Sequence, residues 1–225
     1  MEVENNSMSI KAVIFDFDGV ITESMDIKTD AFAYLFKDRP KDIVDKAVKL
    51  HLDNGGMSRF EKFKIIYDEY LGEELSEEKS EELGKEFSRF CFEKMLICPY
   101  VKGADDFIRK YYDKYMFFIV SGTPHDEMNK IVDRRKLRNY FKEVLGSPGS
   151  KSDLIKKILV KYDLKNDEVV FIGDAPTDYW GAEGANVGFI ARIPPKGYNP
   201  FNSEEFKIKY TMKDLTSLND IIKKI

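Results

Sequence analysis

With 225 residues, 43% of them hydrophobic and 34% charged, the chain can bury a substantial core, and its composition excludes an intrinsically disordered protein. A formal net charge of −4 argues against nucleic acid as the main partner, and no apolar run reaches the length of a membrane span. Cys91 and Cys98 fit neither a zinc spacing nor a disulfide framework. With no signal peptide visible in the polar stretch from Met1 to Ser9, two reduced thiols in a cytoplasmic protein are expected.

The first element is Ala12 to Phe15, apolar throughout, which reads as a strand buried on both faces of a parallel sheet. It ends in Asp16, Phe17, Asp18 and Gly19, where a ligand of an open α/β sheet would sit. Two acids so close repel each other unless a cation or a shared proton relieves them, although Asp and Gly are also ordinary turn formers. From about Ser24 to Leu96 the texture is helical. Helices are expected over Asp26 to Phe36 and Lys41 to Leu50, with a loop at Asp53 to Gly56. Ser58 and Glu61 fit a capping box for a helix ending at Gly72, and a further helix starts at Ser76. Pro99 closes this block.

The α/β texture resumes at Tyr100, with a helix over Ala104 to Tyr112 and a buried strand over Met116 to Val120. That strand runs into a turn, Ser121 to Pro124, whose proline opens the next helix. Val144 to Gly146 is a short strand, and Ser152 or Asp153 caps a helix to Tyr162. Val169 to Ile172 is a strand ending in Gly173 and Asp174, Val187 to Ile190 another, and Asp214 to Ile225 a final helix. The expected fold is therefore α/β, a doubly wound parallel sheet over residues 10–23 and 99–225 with a helical domain inserted at 24–98.

Polar groups close three of the strong strands: Asp16 with Asp18, Ser121 with Thr123, and Asp174 with Asp178. Each has a plainer reading, as helix caps for Ser121, Thr123 and Asp174 and as a solvated helical acid for Asp178. Coincidence at three strand ends is much harder to accept. Between the last two lies Lys151, just ahead of a helix N-terminus where the helix dipole disfavours a cation and favours an anion such as phosphate. The glycine spacing around Lys151 is too short for a P-loop.

Together these residues resemble the motifs of the haloacid dehalogenase (HAD) superfamily, in that family's order. Asp16-Phe-Asp18-Gly-Val20 is similar to the first motif, Ser121 to the hydroxyl motif, Lys151 to the lysine motif, and Gly173-Asp174-Ala-Pro-Thr-Asp178 to the metal motif. The position of the helical insert resembles the helical-cap subfamily, which holds phosphoglycolate phosphatases, β-phosphoglucomutases and haloacid dehalogenases. The resemblance implies a Mg²⁺-dependent phosphatase acting on a small phosphorylated metabolite. Asp16 would be the nucleophile and Asp18 the general acid and base. Mg²⁺ would take oxygen ligands from Asp16, Asp174 and the backbone carbonyl of Asp18, with Asp178 as a further ligand or support. Ser121, the Gly122 amide and Lys151 would hold phosphoryl oxygens.

Asp18 argues for phosphate esters over carbon–halogen bonds, because the family's dehalogenases lack that second acid. A phosphomutase, which uses the same acids, is the alternative, and a non-catalytic binding protein a third reading that loss of a motif acid would have favoured. In the insert, Arg59 and Lys62 either meet a second anionic group of the substrate or are solvated charges on a capped helix. His51 reads as a packing or surface residue of the insert and Trp180 as a packing residue rather than a cofactor platform, while Arg192, on its position after the fourth strand alone, is a candidate to line the mouth of the site.

Overall fold

A computed structural model describes residues 9–54, 57–195 and 199–225. It divides the chain into an α/β unit, Met1–Glu23 with Pro99–Ile225, and a helical unit, Ser24–Cys98. Of the loop expected at Asp53 to Gly56, the two glycines lie outside the described residues.

The α/β unit carries six parallel strands: β1 (Ala12–Phe15), β2 (Met116–Pro124), β3 (Glu143–Ser147), β4 (Val169–Gly173), β5 (Gly188–Arg192) and β6 (Tyr210–Met212), in the order β3-β2-β1-β4-β5-β6. Its helices are α5 (Ala104–Tyr111), α6 (His125–Arg134), α7 (Lys151–Lys161), α8 (Pro176–Ala185) and α9 (Leu218–Ile222), numbered after the four of the helical unit. Successive β1 side chains point to opposite faces, and both faces are covered. Ala12 and Ile14, with Phe118, Val120 and Phe171 of the neighbouring strands, pack against Leu154, Ile155 and Ile158 of α7 and Ala182 and Ala185 of α8. On the opposite face Phe15 meets Phe117 at 5.3 Å, Phe141 at 6.1 Å and Phe107 of α5 at 6.2 Å, all edge to face. Burying each such ring contributes roughly 1.5–3 kcal/mol.

The chain moves outward through β2 and β3 on one side of β1, then returns to β4 on the other side and continues to β5 and β6. The switch in direction therefore lies between β1 and β4, and the crevice it opens is at the C-terminal ends of these strands. Two expectations are corrected. The residues Ser121 to Pro124 extend β2 instead of turning, because β2 outruns β1, whose last pair is Phe15 with Ile119, and pairs again with β3 at Pro124 and Ser147. The cap of α7 is Ser150, whose side chain accepts from the Asp153 amide, which leaves Lys151 as the first helical residue. The edge strand β6 carries too short an alternation to be read from sequence.

The helical unit contains α1 (Met25–Leu35), α2 (Lys41–Asp53), α3 (Arg59–Ile65) continued by a π-helical turn (Ile66–Leu71), and α4 (Glu77–Ile97). The Ser58–Glu61 capping box forms reciprocally, at 3.0 and 3.2 Å. Phe32, Phe63 and Phe87 form its centre. Cys91 is buried and Cys98 half-buried, with no disulfide joining them. Among the described residues no helix is long and apolar enough to cross a membrane.

Candidate active site

The sheet brings the acids of β1 and β4 side by side. Asp16 follows β1, its amide donating to Ile172 of β4 at 2.9 Å, and Asp174 follows β4. One carboxylate oxygen from each of Asp16, Asp174 and Asp178 lies within 4.8 Å of the other two. Asp178 is wholly buried, not a solvated acid: its Oδ2 accepts from the amides of Asp174 at 3.1 Å and Ala175 at 3.0 Å, closing the first turn of α8. The motif needs its glycine for this reason, since a Cβ on Gly173 would stand 2.1 Å from Asp178 Cβ.

Lys151 reaches this cluster from the first turn of α7. Its Nζ donates to Asp16 Oδ1 at 3.1 Å and to Asp178 Oδ1. Gly181 permits the approach, because a Cβ there would lie 2.8 Å from Lys151 Cβ. Burial alone would lower the Lys151 ammonium, but the charges of Asp16 and Asp178 outweigh it and hold the group above its ordinary range. The two carboxylates thus offset a cation that the helix dipole opposes. Burial pushes the Asp174 carboxyl up, and repulsion from Asp178, Asp16 and Asp18 adds to it, with only Lys151 opposing. A carboxylate set carrying more negative charge than its lysine neutralises, and offering only oxygen, fits a hard divalent cation.

Asp18 is buried, its charge bears on Asp174, and the Thr123 hydroxyl donates to its Oδ2 at 3.2 Å. Thr123 is therefore a site residue that sequence reasoning took for a cap; its signal was the two-residue period with Ser121, both buried on one side of β2. The Ser121 Oγ accepts from the Thr123 amide at 3.1 Å, which leaves its own proton to donate elsewhere. Around Gly122 there is open space. Asp16, Asp18, Ser121, Gly122, Lys151, Asp174 and Asp178 thus gather at one end of one sheet.

Arg192 does not line the mouth of the crevice. It is 3% exposed, with every edge of its guanidinium engaged: Nε to Lys213 O at 3.1 Å, Nη1 to Gly19 O at 3.1 Å and Nη2 to Glu23 Oε1 at 2.6 Å. Trp180 is half exposed, edge to face with Tyr179 at 5.0 Å.

In the helical unit, taken by itself, Lys62 is buried and Arg59 half-buried. Lys62 is 2% exposed and its Nζ lies 3.1 Å from Nδ1 of His51, whose ring stacks on Phe32 at 4.9 Å. The lysine donates, so Nδ1 is the bare nitrogen of a neutral imidazole. Burial, then the nearby Lys28, lower Lys62 to about 8, and burial with the charges of Lys62 and Lys28 lowers His51 to about 3. Arg59 donates to Ser88 Oγ at 2.9 Å and lies over the rings of Phe60 and Phe87.

A family model described as haloacid dehalogenase-like hydrolase matches residues 13–192. A search of curated protein sequences finds no match. Among solved structures, the chain is similar to a predicted phosphoglycolate phosphatase from Haemophilus somnus, at TM-score 0.76 and 18% identity over 94% of this chain and 97% of that one. It is also similar to the HAD-type hydrolase YfnB of Bacillus subtilis, solved with magnesium bound, at 0.74 and 20% over 95% and 99%. A protein of Thermotoga maritima provisionally named a β-phosphoglucomutase gives 0.72 and 17% over 96% and 100%. At these identities the likeness is one of fold.

Proposed function

Because the chain belongs to the haloacid dehalogenase-like hydrolases, we propose that it is a Mg²⁺-dependent phosphatase that cleaves a small phosphorylated metabolite through an aspartyl-phosphate. The observation that carries this reading is the cluster at the β1/β4 switch point, where Asp16, Asp174 and Asp178 converge and Lys151 bridges the first and last of them.

In the first step a carboxylate oxygen of Asp16 attacks phosphorus and the bond from phosphorus to the ester oxygen breaks. Asp18, protonated, gives its proton to the departing alkoxide. In the second step Asp18, now a carboxylate, takes a proton from the attacking water while the bond from phosphorus to Asp16 breaks, releasing inorganic phosphate. Thr123 holds one oxygen of Asp18 through both steps. Ser121 has a hydroxyl proton to donate to a phosphoryl oxygen, and the Lys151 ammonium counters phosphoryl charge beside the nucleophile. Asp16 and Asp174, with Asp178 in support, would hold Mg²⁺, which supplies charge neutralisation between nucleophile and phosphate when bound. The phosphomutase reading, favoured by the likeness to the Thermotoga maritima protein, shares the first step and differs only in the acceptor of the second.

The test is a screen of phosphorylated metabolites for released phosphate, with the Asp16→Asn variant alongside. Turnover should fall by at least ~10³-fold in that variant with the fold retained, because an amide is no nucleophile here. Near-normal release by Asp16→Asn would remove the covalent mechanism. A sugar phosphate returned as its isomer, with no free phosphate, would favour the mutase.

A further inference from the structure

Between Asp16 and the start of the helical unit the chain folds into a tight turn. The amides of Ile21 and Thr22 both donate to Phe17 O, at 3.0 and 3.1 Å, and the Gly19 amide donates to Thr22 O at 2.8 Å. Gly19 has φ +73°, a conformation that few other residues adopt cheaply, so its carbonyl is turned out of the ladder. That carbonyl needs a partner, and Arg192 Nη1 supplies it. The same guanidinium holds Glu23, at the far end of the turn, and the Lys213 carbonyl beyond β6. One rigid, buried, planar fork therefore pins both ends of the turn to the sheet. The carbonyl it grips belongs to the Gly19–Val20 peptide, one peptide beyond the pair that flanks the Asp18 Cα, so the guanidinium anchors the turn on which Asp18 is carried.

We propose that Arg192 is a positioning residue for proton transfer, which holds Gly19 and Glu23 so that Asp18 is aimed at the leaving-group oxygen. The proposal rests on the phosphatase reading for its role, and on the turn alone for its geometry. Arg192 touches no reacting atom. A lysine in its place brings one charged head, which can reach one of the three acceptors well but not all of them.

The experiment compares the wild type with Arg192→Met and Arg192→Lys on two esters, p-nitrophenyl phosphate and a simple alkyl phosphate. The phenolate leaves readily without a proton, whereas the alkoxide depends on Asp18. In Arg192→Met, kcat for the alkyl ester should fall by roughly 10²-fold, the scale for a misplaced acid, while the aryl ester changes little. Arg192→Lys should fall between the two. Amide hydrogen exchange, read without any substrate, should speed up at Gly19 to Thr22 in Arg192→Met and stay unchanged in β4. Equal losses on both esters together with a lower melting temperature would overturn the proposal and leave Arg192 a packing residue. Unchanged exchange in the turn would overturn it as well. If the wild type releases no phosphate from any ester, the phosphatase reading falls instead, and the exchange data still decide whether Arg192 fixes the turn.

Discussion

Replacing Lys62 by methionine should stabilise the helical unit. Lys62 is 2% exposed, it bonds to the uncharged ring of His51, and the charge of Lys28, of the same sign, opposes its own. Its fall from 10.5 to about 8 corresponds to roughly 3 kcal/mol held against folding at neutral pH, at about 1.4 kcal/mol per pH unit. Methionine keeps the apolar stem against Phe32 and removes the charge, but forfeits the bond to His51, worth about 1 kcal/mol. The net gain is about 2 kcal/mol. The sign with pH follows from proton binding. Between pH 8 and 10.5 the unfolded chain holds a proton on Lys62 that the folded chain lacks, so wild-type stability rises with pH there. The cost is therefore fully present below pH 8 and gone above 10.5, and the advantage of Lys62→Met should shrink across that window. Urea titration followed by hydrogen exchange of residues 41–53 at pH 7 and pH 10 measures both effects. Destabilisation by the substitution at pH 7, or an advantage independent of pH, would refute the reasoning.

The α/β unit gives three further expectations. Asp174→Asn removes a carboxylate that burial and its neighbours oppose, so without Mg²⁺ the protein should melt higher by a few degrees, while the rise in melting temperature on adding Mg²⁺ should vanish. Lys151→Met leaves Asp178 buried without its cation and should cost about 3–5 kcal/mol in denaturant unfolding. Gly173→Ala drives a methyl group into Asp178 and should lower phosphatase turnover at least ~10-fold by moving that acid, with Mg²⁺ demand rising in the same titration.

The sequence by itself determined the architecture and where the family's motif residues fall along it. A four-residue apolar run such as Ala12 to Phe15, set among segments of helical period, reads as a strand covered on both faces, and carboxylates directly after it then fall at the strand end, so fold class and motif residues were legible together. What it could not determine were partners set by packing across distant segments. Whether Lys62 is solvated depends on how α1, α2 and α3 close around it, and no helical period distinguishes it from the exposed Lys64 two residues on. Asp178 is legible as the second acid of its motif, but that it folds back beneath two amides depends on the room Gly173 leaves it. Arg192 lies 173 residues from the carbonyl it holds, and only the pairing of β4 with β5 beside β1 brings the two within 3.1 Å. Local sequence fixes periodicity and end groups through short-range sterics and solvation. The choice of which buried charge meets which acceptor is made by chain closure, and that is a property of the tertiary structure alone.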